Sequence, residues 1–179
     1  MTAQPPARGA SPLDDEHLAL MHRGVSITVA TAGPGLQPNL TRAVGFRIDA
    51  DRRRVTLFLA RCDAADLLAD LRDRPAVAVV FSEPSTHRTV QLKGFDAREV
   101  PLREGDDALV AAYAKRLEAD LASVGFGSAY GSALIAHEPG ERVGVAFTVA
   151  AAFNQTPGPS AGAPLAPAAT PLAPPAAPD

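Results

Sequence analysis

Connections too short for crossover helices join most of the strand-like runs in this sequence. Val25, Ile27 and Val29 alternate with Ser26, Thr28 and Ala30, the period of a half-buried strand. "TAGPGLQP" reads as a loop, and residues 39–48 and 53–60 read as two strands around an Asp-Ala-Asp-Arg turn. In the second, Val55, Leu57 and Leu59 share one face, and Thr56 and Phe58 the other. "AVAVVF" at 76–81 is continuously apolar and is expected to be covered on both faces. "PSTHRTVQLKG" begins a strand that ends near Val100, and "RVGVAFTVAAAF" is a last strand with a small-residue face. A parallel neighbour needs a crossover of a dozen residues or more, so short turns imply antiparallel pairing. About six antiparallel strands favour a closed barrel over a doubly wound sheet.

Two or three helices flank these strands. Ser11 and Pro12 predict an N-cap and a first-turn proline for a short helix to about Met21. Asp63 is expected to cap a helix over 64–73, with Leu67, Leu68 and Leu71 at helical spacing and Pro75 as its stop. From 106 to 124, Leu109, Val110, Tyr113, Leu117, Leu121 and Val124 form an apolar stripe, and Gly125 suits the position after the helix. Residues 1–10 are expected to be a flexible arm and 11–162 the folded domain. Eight of the 17 prolines follow Thr156. Proline has no amide donor and fixes φ, so 163–179 is expected to be a disordered Pro/Ala-rich tail.

Several functions find no support. A net charge of -3 gives no electrostatic reason for nucleic-acid binding, and Arg52-Arg53-Arg54 reads as a solvated hairpin end. Cys62 is the only cysteine, which fits a reducing compartment. No apolar run has the length of a membrane span and the first residues carry no signal-like core, so a soluble cytoplasmic protein is expected. His17, His22, His87 and His137 are scattered, without the spacing of a zinc site. "GFGSAYG" follows a helix rather than a strand, so it is not a dinucleotide fingerprint.

The polar content of "PSTHRTVQLKG" asks for another explanation. His87, Thr89, Gln91, Lys93 and Phe95 point one way, while Val90 and Leu92 face the core. Thr89 and Gln91 offer neutral donors and acceptors that suit a planar polar heterocycle, though a solvent-washed sheet face has the same alternation. "TRAVGFRID" places Arg42 and Arg47 five residues apart, on opposite faces of a regular strand. A guanidinium fork suits a phosphate, though a surface arginine reads the same way.

The order strand, "NLTRAVGF", "VTLFLA", helix "AADLLADLRDRP", "AVAVVF" and "STHRTVQLKG" resembles the pyridoxamine 5′-phosphate oxidase-like FMN-binding split barrels, with a further match in "FNQTPGPSAG". The resemblance implies a six-stranded antiparallel split β-barrel with flanking helices. It also implies a homodimer, with cofactor sites across the interface and the small-residue strand faces buried there. FMN or a deazaflavin would be the cofactor, for an oxidoreductase acting on a small molecule. Arg42 and Arg61 would hold the phosphate; the backbone at Ala43 and Val44, with Thr89 and Gln91, would orient the ring. Arg47 would lie at the basic end of the flavin-binding strand. No side chain stands out as an obligatory general acid or base. The oxidases carry a Ser-Arg-Lys-type segment where this chain has Ala65-Asp66-Leu67. Losing two charge-assisted contacts costs about 3–6 kcal/mol, which argues against tight FMN binding. The oxidases' substrate-phosphate pattern is also missing, which argues against vitamin B6 oxidation. Two other functions fit the same barrel. One is a module for haem or another planar ligand, with His87 or His137 as axial ligand. The other is a cofactor-free dimeric scaffold whose tail recruits a partner.

Overall fold

The computed structural model describes residues 11–127, 129, 133 and 142–165. The expected N-terminal arm, His137 and residues 166–179 lie outside them.

The elements follow as α1 (Asp15–Met21), β1 (Ser26–Ala32), β2 (Pro38–Ile48), β3 (Arg54–Ala60), α2 (Ala65–Asp73), β4 (Val77–Ser82), β5 (Thr89–Gly94), β6 (Arg98–Val100), α3 (Asp106–Ser123), β7 (Arg142–Thr148) and β8 (Ala151–Asn154). All neighbouring strands are antiparallel, in the order β6-β7-β3-β2-β1-β4-β5-β8. The eight segments make six staves. Val90 faces Asn154 and Lys93 faces Ala151. Farther on, Arg98 faces Ala146 and Val100 faces Gly144, with no slip of register. β5 and β6 are thus one bent stave running against β7 and β8. Their ladder joins the two ends of the sheet into a barrel. At the bend, Asp96 replaces the missing ladder bonds by accepting from Thr148 N and Oγ1, each at 2.7 Å.

Alternation fills the interior. Ile27, Val29, Val55, Leu57, Leu59, Val79, Phe81, Leu92, Val145 and Phe147 are fully buried. α3 packs through Val110, Tyr113, Leu117 and Leu121, while Leu109 and Val124 lie at the stripe's exposed margins. Gly125 adopts φ +92°, the left-handed turn expected after the helix. α3 approaches the barrel so closely at Gly24 that a Cβ there would sit 2.3 Å from Arg116 O and 2.5 Å from Asp120 Cβ. Gly24→Ala is therefore expected to cost about 2–3 kcal/mol, read as a lower midpoint in urea at unchanged m-value.

Several local expectations are corrected. α1 is capped by Asp14, whose Oδ1 accepts from His17 N at 2.9 Å; Ser11 instead donates to Arg52 O. α2 starts behind Ala64 with no side-chain cap, and Asp63 Oδ1 is bonded to Cys62 Sγ. Within the chain β4 is fully covered on one face only: Val77, Val79 and Phe81 are buried, whereas Ala78, Val80 and Ser82 are half-buried outward. The small face of β7 is covered from within the chain, because Val100 and Thr56 leave no room for a side chain at Gly144. Gly144 and Ala146 are buried on this face, Thr148 is half-buried and Ala150 is exposed. Finally, 163–165 belong to the ordered fold. Asn154 N donates to Ala163 O and Leu165 N to Ala152 O, and Leu165 packs on the core.

A hydrogen-bonded node that no motif announces ties α2 to the β1–β2 hairpin. Buried Asp70 accepts at Oδ2 from Thr31 Oγ1 at 2.6 Å and from Asn39 Nδ2 at 2.8 Å. Asp70→Ala leaves both donors without their acceptor, an expected loss of about 2–3 kcal/mol. Chemical denaturation checks it, and Thr31→Val in the same background should cost little more.

Candidate functional site

The outward face of β2, β1, β4, β5 and β8 carries the predicted polar residues in continuous register. Arg42 stands opposite Thr28, Thr28 opposite Val80, Val80 opposite Gln91, and Gln91 opposite Phe153. Arg42 and Gln91 thus share one face and one row. They are not on adjoining strands, however. β1 and β4 lie between them, so they are three strand spacings, about 14 Å, apart. A second row is made of hydroxyls, with Ser26 opposite Ser82 and Ser82 opposite Thr89. Ser82 Oγ and Thr89 Oγ1 are hydrogen-bonded at 2.8 Å. Arg42 Nη1 donates to Ser26 Oγ at 2.6 Å, which joins the cation to this row. Gln91 Oε1 accepts from Gln155 Nε2 at 3.4 Å. At its β5 end the row meets a groove of about 340 Å³, walled by His17, Leu20, Arg88, Thr89, Thr156 and Leu165 among others.

The other predicted residues are placed differently. Ala43 faces the barrel interior in register with Ile27 and Leu59. Val44 is buried against Phe58, Val110 and Leu102. Neither presents a side chain to a ligand. A register shift between Ala43 and Phe46 marks a bulge. The extra residue puts Arg42 and Arg47 on the same face rather than opposite ones. Even so, Arg47 is not a free cation. It is ion-paired to buried Asp106 beneath the start of α3 and lies 5.9 Å above the Phe58 ring. Arg61, just past β3, donates to Glu99 Oε1 at 2.5 Å and lines a separate groove of about 460 Å³. Leu67 is in the core, so it contributes nothing at the surface, while Asp66 is exposed.

Electrostatics singles out Arg42 further. Its one hydrogen bond among the described residues is to a neutral hydroxyl. Burial pushes the Tyr113 phenol up to about 12, although the Arg42 charge nearby pulls the other way. Tyr113 therefore stays protonated at neutral pH and cannot serve as a base there. His87 occupies a left-handed position, φ +59°, in an exposed turn. That turn is fastened by Asp120, which accepts from Ser85 N and Oγ. Among the described residues, no group of three His, Cys, Asp or Glu side chains could hold a metal ion. No helix among them is long and apolar enough to cross a membrane.

Three solved structures share this architecture. HupZ from Group A Streptococcus is 17% identical with a TM-score of 0.52, over 84% of this chain and 99% of its own. An F420 reductase is 16% identical with a TM-score of 0.50, over 78% and 98%. A Lactobacillus delbrueckii protein assigned as a pyridoxamine 5′-phosphate oxidase is 14% identical with a TM-score of 0.50, over 82% and 96%. Its fold is that of the pyridoxamine 5′-phosphate oxidase-like split barrels. At such identities the likeness carries the fold, and side-chain roles in this split barrel rest on its own residues. No family model and no curated protein matches the sequence.

Ser26 and Ser82 were not apparent from sequence as part of this face. Each is one hydroxyl in an ordinary strand, and only the register brings them into line with Thr89.

Proposed function

We propose that this split barrel binds FMN or a deazaflavin on the outward face of β2–β1–β4–β5 and serves as a flavin-dependent oxidoreductase for a small molecule. One observation carries the reading: an exposed arginine and a row of hydroxyl and amide side chains share one face in unbroken register. The distance across it, about 14 Å from strand spacing, suits an extended nucleotide with its phosphate at one end and its ring at the other. Arg42 would hold the phosphate, and Arg61 can join it only by giving up Glu99. Ser26, Ser82 and Thr89 offer hydroxyls along the way, and Gln91 an amide for the ring. When bound, the flavin supplies hydride transfer. The chain's residues position it and keep water from its face.

A homodimer belongs to the same proposal. Ala30, Ala78, Val80 and Ala151 point outward between the polar residues and are only half-buried, and Leu40 is 64% exposed. Apolar side chains on an outward sheet face are explained by a second copy packed upon them. That packing would also make a cleft of a gently curved surface.

Binding is expected to be weaker than in the oxidases, since Arg47 is committed to Asp106 and Leu67 to the core. The reading is tested by the absorption spectrum of the purified protein and by equilibrium dialysis against FMN and F420. Retention of either, with a raised melting temperature, supports it. A colourless protein with no thermal shift at millimolar flavin rejects it. A Soret band on haem addition, lost in His87→Ala, would replace it with the haem-binding function.

A further inference from the structure

We infer that Lys93 sets the reduction potential of the bound flavin, by placing an ammonium at the ring end of the outward face, where negative charge gathers on reduction. The inference rests on the flavin proposal and gives a role to a residue which that proposal leaves unused. Lys93 is the one charged residue in β1, β4, β5 and β8. It lies two positions beyond Gln91 on β5, on the same outward face and about 7 Å along the strand. Its register partners are Ala78 and Ala151, so small side chains flank it on both sides and leave the ammonium room to lean. It leans toward Phe153, with Nζ 4.9 Å from the centre of that ring. Phe153 is the register partner of Gln91. The charge is thus carried back to the Gln91 row, at the end farthest from Arg42.

Lys93 is half-buried, and among the described residues no carboxylate pairs with it. A lysine over an aromatic face is held by about 0.5–1 kcal/mol at an exposed site, against about 1.5–3 for a hydrogen bond to a charged group. The ammonium therefore gives up the Phe153 ring for an anion placed beside it. Hydride transfer supplies that anion. When a hydride passes to the ring with its electron pair, the donor is oxidised by two electrons. The ring then carries one negative charge unless a proton follows from water. A cation next to the ring favours this reduced state over the neutral oxidised one. The cofactor phosphate, by contrast, is charged in both states. The two cations of the face accordingly divide the work. Arg42 holds the cofactor whatever its redox state, and Lys93 discriminates between the states. Gln91, which is neutral, cannot do so by charge.

The test measures the midpoint potential of protein-bound FMN, or of F420 where that is the one retained, against a reference dye in mildly alkaline buffer. The Kd of the oxidised cofactor is measured beside it. Lys93→Met keeps the apolar stem and removes the charge. Oxidised cofactor should bind it within about 3-fold of wild type and reduced cofactor about 10-fold more weakly, read as a potential about 30 mV lower. Lys93→Gln should fall equally far, and Lys93→Arg should stay near wild type. Arg42→Ala should weaken both redox forms alike and leave the potential where it was. An unmoved potential in Lys93→Met and Lys93→Gln, with flavin still bound, overturns this inference and leaves the flavin proposal standing. Equal weakening of both forms in those two variants also overturns it, since Lys93 would then be a second phosphate contact. A wild-type protein that binds neither cofactor overturns both.

Discussion

Arg42→Ala is expected to weaken FMN binding about 10- to 100-fold while leaving folding stability within about 0.5 kcal/mol. The two halves of this result come from the same geometry. Arg42 is exposed and donates to a single neutral hydroxyl, so its removal orphans no buried group. A phosphate on that face, by contrast, would lose the cation nearest the hydroxyl row. Arg42→Lys should recover only part of the affinity, because an ammonium keeps the charge but not the planar fork. Quenching of flavin fluorescence on titration, beside a urea melt of each variant, measures both quantities. Equal affinity in wild type and Arg42→Ala would remove the residue on which the flavin proposal depends. Ser26→Ala is a useful companion. It should move affinity only a few-fold, since Ser26 positions the guanidinium rather than carrying charge.

The strands and the main helix were legible because their signals are local. β1 alternates cleanly, β7 alternates large with small side chains, and α3 shows an apolar stripe with a glycine behind it. Lateral relations were not legible. A bulge adds one residue and leaves no periodic trace, yet the one at Val44–Gly45 decides which way Arg47 points. "AVAVVF" was ambiguous because an outward apolar face looks the same in sequence whether a helix or another subunit covers it. The small face of β7 looks like an interface in sequence, since nothing near Gly144 announces that Val100 pairs beside it and crowds it. Among the candidate residues, alternation correctly put Thr89 and Gln91 outward. It could not show that β1 and β4 separate them from Arg42, because strand order is a property of the whole sheet.

The fate of Arg47 gives the second large prediction, one that separates a structural arginine from a ligand-binding one. Asp106 lies 59 residues away in sequence, and in the fold it is only 3% exposed. Its carboxylate accepts from Arg47 Nη1 and, at 2.7 Å, from Arg103 N. Arg47→Ala leaves a buried carboxylate without its countercharge, and breaking a pair in this way costs about 3–5 kcal/mol. In a chain of this size the midpoint should fall by about 6–20 °C. The double variant Arg47→Met/Asp106→Leu should regain most of the loss, because it removes both desolvated charges and retains the packing over Phe58. FMN affinity, measured well below the lowered midpoint, should be unchanged in Arg47→Ala. A folded Arg47→Ala protein of near wild-type stability that binds flavin poorly would invert the assignment. It would show that Arg47 leaves Asp106 to meet the ligand, and that the bulge at Gly45 serves binding rather than the seating of α3.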